Sequence, residues 1–391
     1  MSFAALALVV AAGLVGPVLA SARRTAPPVV IGEILAGVAI GHSGLRWIDP
    51  AQPVLAGLAQ IGFALLMFVV GTHLPLRDPT LPSVLGRGAL LTVTGGGLAV
   101  AAGLAVARLS DLHRPAVLAV LIAASSAAVA LPVLHDLGRT DRQVLTTTAW
   151  IALADALTVL AVPLVMARGS VLRVLMGGGL VVGAATVLYA AARLVAGWPR
   201  VQWARHQSHQ RGWALDLRVS LLALFALAWV ATRFGTSVLV AGFAAGAAVA
   251  LLGEPRRVAQ QLVGLGEGFA IPLFFVHLGA QLDLGAMFRS SGSLALAGLL
   301  AGASVAVHVV AAVVWRLPLG AGLVAAAQLG VPAAVVSVGL GTGALTPGQG
   351  AAVLAAALVS LVAAAVGSAR LGVQAPVTDA AAPIPGRRGA T

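Results

Sequence analysis

Residues 143–166 read QVLTTTAWIALADALTVLAVPLVM, with one acidic residue, Asp155, near the middle of an otherwise apolar run. About 20 apolar residues cross a bilayer, so this stretch is long enough to span one. An ionised carboxylate at that depth costs roughly 2.5–3.5 kcal/mol on insertion scales, and it must find water, a cation or a proton. Proton and cation compete for the same oxygens, which is the elementary step of coupled exchange. The plainer alternative is an aspartate that packs helices by bonding to neighbouring hydroxyls or to a histidine.

The remainder of the chain fits that setting. Of 391 residues 60% are apolar and only 9% charged, with a mean hydropathy of +1.01; soluble domains carry about 25% charged residues. Cutting at charge clusters and Pro/Gly turns gives thirteen expected spans, at 2–21, 28–41, 54–73, 88–107, 115–134, 143–166, 172–195, 217–232, 236–252, 263–282, 292–315, 319–341 and 349–369. An all-α polytopic membrane protein follows. Alternating loops from an outside N-terminus place 17 arginines on the inner face and 7 on the outer. This bias favours a multi-pass cell-membrane protein with its N-terminus outside and its C-terminus cytoplasmic. The first apolar run has no basic residue before it, so it reads as a retained helix rather than a signal peptide.

The longest polar connection, 196–216, reads as a cytoplasmic linker between a first membrane half at 1–195 and a second at 217–370. Its Trp198, Trp203 and Trp213, interleaved with Arg and His, suit membrane anchoring better than base stacking. The segment 371–391 is Pro/Ala-rich and reads as a disordered cytoplasmic tail, with no regulatory domain expected beyond it.

Several chemistries are excluded. The 24 basic residues are all Arg, and Cys is absent. There is therefore no disulfide framework, thiolate metal site, Schiff-base lysine or Walker lysine. Neither a GxSxG elbow nor an HExxH motif occurs, so no enzyme activity and no cofactor are expected. The net charge of +12 is assigned to topology, not to nucleic acid. Most acids, among them Asp49, Asp111, Asp136, Asp141, Asp216 and Glu254, fall in or beside loops.

Other titratable residues within expected spans are Glu33, His73, Glu267, His277 and His308; His308 is the deepest histidine. A lone histidine on an apolar helix is usually a packing residue, and Glu33 and Glu267 suit helix orientation as well as binding. Two segments look interrupted: Ala124-Ser125-Ser126 running to Pro132, and Gly330-Val331-Pro332 through Ser337 to Gly341. Broken helices at membrane depth occur only inside protein or along a cavity. Paired interruptions in the two halves of a carrier mark half-helices whose ends help bind ions.

An ordered set of stretches covers nearly the whole chain. They are PPVVIGEILAGVAIG at 27–41, LAQIGFALLMFVVGTHLPL at 58–76, SSAAVALPVLHDLG at 125–138 and LADAL at 153–157. Later come GTSVLVAGFAAGAAVA at 235–250, LGEGFAIPLFFVHLGAQLDL at 265–284 and AAQLGVPAAVVSVGLGTGALTP at 326–347. Together they resemble the monovalent cation:proton antiporter family, in the branch of Kef-type and bacterial sodium/proton exchangers. The resemblance implies a thirteen-helix inverted-repeat fold in which a core moves against a dimerisation domain, with two crossing discontinuous helices flanking the ion-binding carboxylate. It also implies a homodimer in the lipid bilayer.

On the matching position the carboxylate is Asp155, a transient ligand for Na⁺ or K⁺, with Ser125, Ser126 and broken-helix carbonyls supplying further oxygens. His308 would tune charge, while Glu33, Glu267 and Ser337 are accessory. The chain departs from the family's pattern at Ala154, where many relatives carry an acidic or polar residue, and at His308, where a basic residue is usual. His73 stands where an acid is common, and Leu329-Gly330-Val331 replaces an RGE-like sequence. Losing one acid and one permanent cation together leaves the charge balance nearly unchanged. The expectation is electroneutral exchange of Na⁺ or K⁺ for H⁺. Its alternatives are a proton- or sodium-coupled carrier of an organic solute, a transport-inactive paralogue, or a channel.

Overall fold

The computed structural model describes residues 2–21, 29–72, 81–138, 141–167, 171–234, 236–252 and 264–373. His73 and the tail 374–391 lie outside the described residues, as do Asp78, Glu254 and Asp379. Every regular element among the described residues is helical. Hydrocarbon offers no partners to backbone N–H and C=O groups, and a helix satisfies them within one segment.

The first half comprises α1 (Phe3–Gly13), α2 (Val15–Ser21), α3 (Val29–Ile40), α4 (Pro53–Thr72), α5 (Leu81–Leu109), α6 (Pro115–Ala123), α7 (Ala127–Asp136), α8 (Arg142–Met166) and α9 (Val171–Val195). The linker contains α10 (Pro199–Arg211). Next come α11 (Leu215–Arg233) and α12 (Val238–Leu252), and then a π-helical turn (Gly266–Ala270) that runs into α13 (Ile271–Ala280). The chain continues with α14 (Leu284–Arg289), α15 (Ser291–Val314), α16 (Leu319–Ala325), α17 (Gly330–Thr342) and α18 (Pro347–Val373).

Ten helical stretches among the described residues are long and apolar enough to cross a membrane. Three shorter apolar ones, Val29–Ile40, Val238–Leu252 and Gly266–Ala280, fall on the expected spans 28–41, 236–252 and 263–282. Length and composition thus qualify ten crossings, where the sequence suggests thirteen. The chain is a multi-pass membrane protein.

Packing does not follow the division into halves. Helices α3 and α4 of the first half pack on α12 and α13 of the second, with α9 and α11 alongside α12. Helices α5, α6 and α8 pack instead with α15 to α18. Two bodies result, each drawing on both halves. In the first, Gly242 and Gly246 let α12 lie directly against the backbone of α4. The small-residue spacing Gly95, Ala99 and Gly103 is only partly used: Gly103 sits against α6, whereas Gly95 faces open space.

Polar contacts sort the loops into two ends. At one end Asp111 accepts from Ser293 Oγ at 2.7 Å, and Arg114 donates to the Val165 carbonyl at 3.0 Å. Ser43 joins that end through the carbonyl of Leu282 and the amide of Leu284. At the other end Arg87 donates to the Trp315 carbonyl at 2.6 Å, and Arg205 pairs with Asp216 at 3.2 Å. All but the Arg205–Asp216 pair, which lies within the connection 196–216, join segments that the alternating count places on the same face.

The loop acids also have concrete work at helix starts, where side-chain acceptors satisfy unpaired N–H groups. Asp141 Oδ1 accepts from the amides of Gln143 and Val144 and Asp283 from Ala286, while Asp49 accepts from Ala51 in the turn before α4.

Candidate functional site

The first interruption is Ala124-Ser125-Ser126, three non-helical residues between α6 and α7, with Ala124 and Ser126 extended. Serine hydroxyls compete for backbone groups and weaken a helix interior, which favours a break here. Pro132 lies farther along, inside continuous α7.

The second interruption is displaced from its expected place. The helix stops at Ala325 and restarts at Gly330, so the irregular residues are Ala326, Ala327, Gln328 and Leu329. From Gly330 to Thr342 the helix is continuous. Pro332 falls in its first turn, where a missing N–H breaks no intrahelical bond. Proline therefore marks a helix start here, not a helix break. Ala, Gln and Leu are good helix formers, so no local signal identifies the true interruption.

The two interruptions meet. Ser125 Oγ donates to the carbonyl of Ala325, the last residue of α16, at 2.7 Å. Gln328 Nε2 reaches the Ile122 carbonyl in the last turn of α6 at 3.5 Å, and the Gln328 amide donates to Ser360 Oγ of α18 at 3.0 Å. Backbone groups freed by the breaks thus find partners inside protein. Gln328, which sequence reading passes over, links both breaks, and only its place beside the interruption could have singled it out.

Asp155 sits at this junction. Its Oδ2 accepts from the amide of Ala127, the first residue of α7, at 3.0 Å, and the side chain is 1% exposed. Asp155 on α8 therefore caps a half-helix from another part of the chain, while Ser126, at the N-cap position, makes no such side-chain bond. The positive end of the α7 dipole faces the carboxylate. Ser125 and Ser126 are both 2% exposed, so the structure brings these three predicted residues into one buried cluster. Thr158 Oγ1 turns back to the Ala154 carbonyl at 2.7 Å.

The other predicted residues stand apart. His308 is buried on α15, where its Nδ1 donates to the Ser304 carbonyl at 2.8 Å and its ring stacks on Trp150 at 5.5 Å. It makes no hydrogen bond or ion pair with Asp155, and reaches α8 through Trp150. Glu33 is buried on α3 against Gly16, with Oε2 unpartnered. Glu267 is exposed on the π-helical turn. His277 bonds to the Pro50 carbonyl at 2.9 Å, away from the breaks.

Ser337 lines a cavity of about 550 Å³ between the two bodies, together with Gln60, Phe63, Pro163, Arg173 and Thr236. Asp155 does not line this cavity. Pro163 is eight residues beyond it on α8, a rise of about 12 Å. A smaller cavity of about 240 Å³ between α5, α6 and α8 reaches Ala154 and Thr158, the neighbours of Asp155. Among the described residues no cluster of three or more His, Asp or Glu could hold a metal ion.

A buried carboxylate hydrogen-bonded to the start of a half-helix, beside a second broken helix in a polytopic chain whose halves interleave, is the arrangement of membrane proteins built on paired discontinuous helices. The family model described as "Sodium/hydrogen exchanger, transmembrane" matches residues 8–371, and the chain belongs to that family. It is 26% identical over 272 residues to the Na(+)/H(+)-K(+) antiporter GerN of Bacillus cereus, covering 66% of each chain. It is 25% identical over 317 residues to the putative Na(+)/H(+) antiporter YjbQ of Bacillus subtilis, covering 76% of this chain and 50% of that one. A third relative is the glutathione-regulated potassium-efflux system protein KefC of Salmonella paratyphi B, 28% identical over 284 residues, with 70% of this chain and 44% of that one covered. The chain thus spans between 44% and 66% of the length of these curated relatives. The solved sodium proton antiporter MjNhaP1 of Methanocaldococcus jannaschii shares the fold, with a TM-score of 0.65 at 17% identity over 95% of this chain and 98% of that one.

Proposed function

We propose that the protein exchanges one Na⁺ or K⁺ for one H⁺ across the cell membrane, with Asp155 carrying either ion in turn. The observation that supports this most directly is the Ala127 N–H on Asp155 Oδ2, a buried carboxylate at the start of the half-helix that follows the first break. Ser125 and Ser126 and the carbonyls exposed by the breaks are the additional oxygen ligands; such oxygens suit a hard cation better than nitrogen or sulfur would. Position 154 is Ala, so no second acid precedes Asp155. One carboxylate that carries one proton one way and one monovalent cation the other moves no net charge per cycle.

The cavity between the two bodies is the access funnel on the face assigned as outside, with Ser337 and Thr236 on its wall. His308 acts as a positioning group through Trp150 rather than as an ion ligand. The inner face is cytoplasmic, the N-terminus lies outside, and the working unit is a homodimer.

The test is exchange in proteoliposomes with Na⁺ or K⁺ at several pH values, with and without an imposed membrane potential. The expected result is cation-driven proton movement whose rate does not respond to voltage. A voltage-dependent rate overturns the one-for-one stoichiometry, and exchange that ignores both cations overturns the substrate class.

Removing one oxygen is a milder test. Ser125→Ala leaves the Ala325 carbonyl without its hydroxyl donor, a loss worth about 1–3 kcal/mol when a buried acceptor goes unpaired. It should raise the apparent KM for the cation several-fold and keep measurable exchange. An unchanged KM removes Ser125 from the ligand set.

A further inference from the structure

A second cavity, of about 520 Å³, lies away from Asp155, in the body formed by α4, α9, α11 and α12. Its walls are aliphatic, with Leu188 and Ala192 from α9, Ala223 and Leu227 from α11 and Val249 from α12. Arg200 and Arg205 of α10 close one end. That volume falls within the range of sites for drug-sized ligands.

Three observations identify the occupant. First, α9 and α11 are the spans with the smallest buried share among the described residues, so this flank is left uncovered by the rest of the chain. Second, α10 is polar and carries exposed Trp198 and Trp203, the pattern of a helix lying at the headgroup level. Third, the rim is strongly basic. Besides Arg200 and Arg205, Arg193 lies over the ring of Tyr189, which lines the cavity, and exposed Arg218 sits between the lining residues Asp216 and Val219. Among the described residues the acid that lines the cavity is Asp216, which is paired with Arg205. Arg200 has no hydrogen bond or ion pair among the described residues. A second copy of the chain docked here by two-fold symmetry would set this arginine cluster against itself. Basic pockets between membrane helices on the inner face suit anionic headgroups.

We propose that this cavity holds an acyl chain of one anionic phospholipid, whose phosphate is bound by Arg200 and the adjoining basic rim of α10. The lipid fastens the linker helix to α9 and α11, and so fixes the junction between the two halves.

The experiment uses the full chain, purified in detergent and stripped of lipid, with phosphatidylglycerol or phosphatidylcholine added back. Thermal melting and native mass spectrometry are the readouts. Phosphatidylglycerol should raise the melting midpoint and give a one-to-one adduct, whereas phosphatidylcholine should do neither at the same concentration. Ala223→Phe, which fills the cavity, should lose the adduct. Arg200→Glu leaves the apolar walls intact and should abolish the preference for the anionic lipid, so the proposal stays testable if the first variant folds poorly. Equal responses to the two lipids overturn it, as does an adduct that survives both substitutions. A lipid-free dimer that Ala223→Phe dissociates also overturns it, by making this face a protein contact.

Discussion

Asp155→Asn is expected to reduce cation-induced pH change in everted vesicles to background while leaving the protein folded. The amide oxygen of asparagine can still accept from the Ala127 N–H, so the cap on α7 survives. What disappears is the charge that holds a cation and the group that takes a proton, and both half-cycles need it. Thermal melting of the variant should therefore stay close to that of the parent while transport vanishes. Asp155→Glu keeps the charge on a longer arm and should retain exchange with a raised cation KM. In the parent, acidification should raise the apparent cation KM in proportion to proton concentration and leave the maximal rate little changed, because both ions claim the same oxygens. Undiminished exchange by the Asn variant removes the mechanism. A low-pH loss of maximal rate at constant KM removes the competition.

Gly246→Val should produce the largest loss of stability of any single change considered. A Cβ on Gly246 would lie 2.0 Å from the Phe68 carbonyl oxygen and 3.0 Å from the Gly71 Cα. Both are backbone atoms of α4, so no side chain can turn aside, and the two helices must separate. Overpacking of this kind costs about 1–3 kcal/mol, occasionally more, even where side chains can adjust. Here the contact joins the first half of the chain to the second. The expected readouts are a marked fall in melting midpoint and in the yield of monodisperse protein. Gly298→Val is the control: its Cβ meets nothing within 4 Å, so it should behave like the parent. Equal stability of the two variants would show that α4 and α12 are not held at this distance in the membrane.

These two predictions differ in how much of their basis could be read from the sequence. Asp155 stands out at once, because a lone acid inside an apolar run is expensive wherever the run is placed. Ser125 and Ser126 are nearly as legible, since serine pairs disturb helices by a local mechanism. The second interruption is a different case. Gly330 and Pro332 draw attention to the wrong turn, and the real break at Ala326–Leu329 is built from good helix formers. Contacts from Ser125, Gln328 and Ser360 hold it open, and those residues come together only after folding. His308 shows the limit again. Its depth is apparent from the sequence, but its partner is the Trp150 ring and not the carboxylate.

By itself the sequence determined that this chain is a polytopic membrane protein and set Asp155 apart as an acid in the middle of an apolar span. Hydropathy and charge act residue by residue against the surrounding lipid and water, so they need no knowledge of neighbours. Only the tertiary structure decided that α3 and α4 pack with α12 and α13, so that the two bodies cut across the two halves, and that the two interruptions meet through Ser125 and Gln328 beside the helix end that Asp155 caps. Lipid is as apolar as the helix surfaces, so hydrophobicity cannot choose one helix neighbour over another. Close packing at glycine and hydrogen bonds between distant segments make that choice.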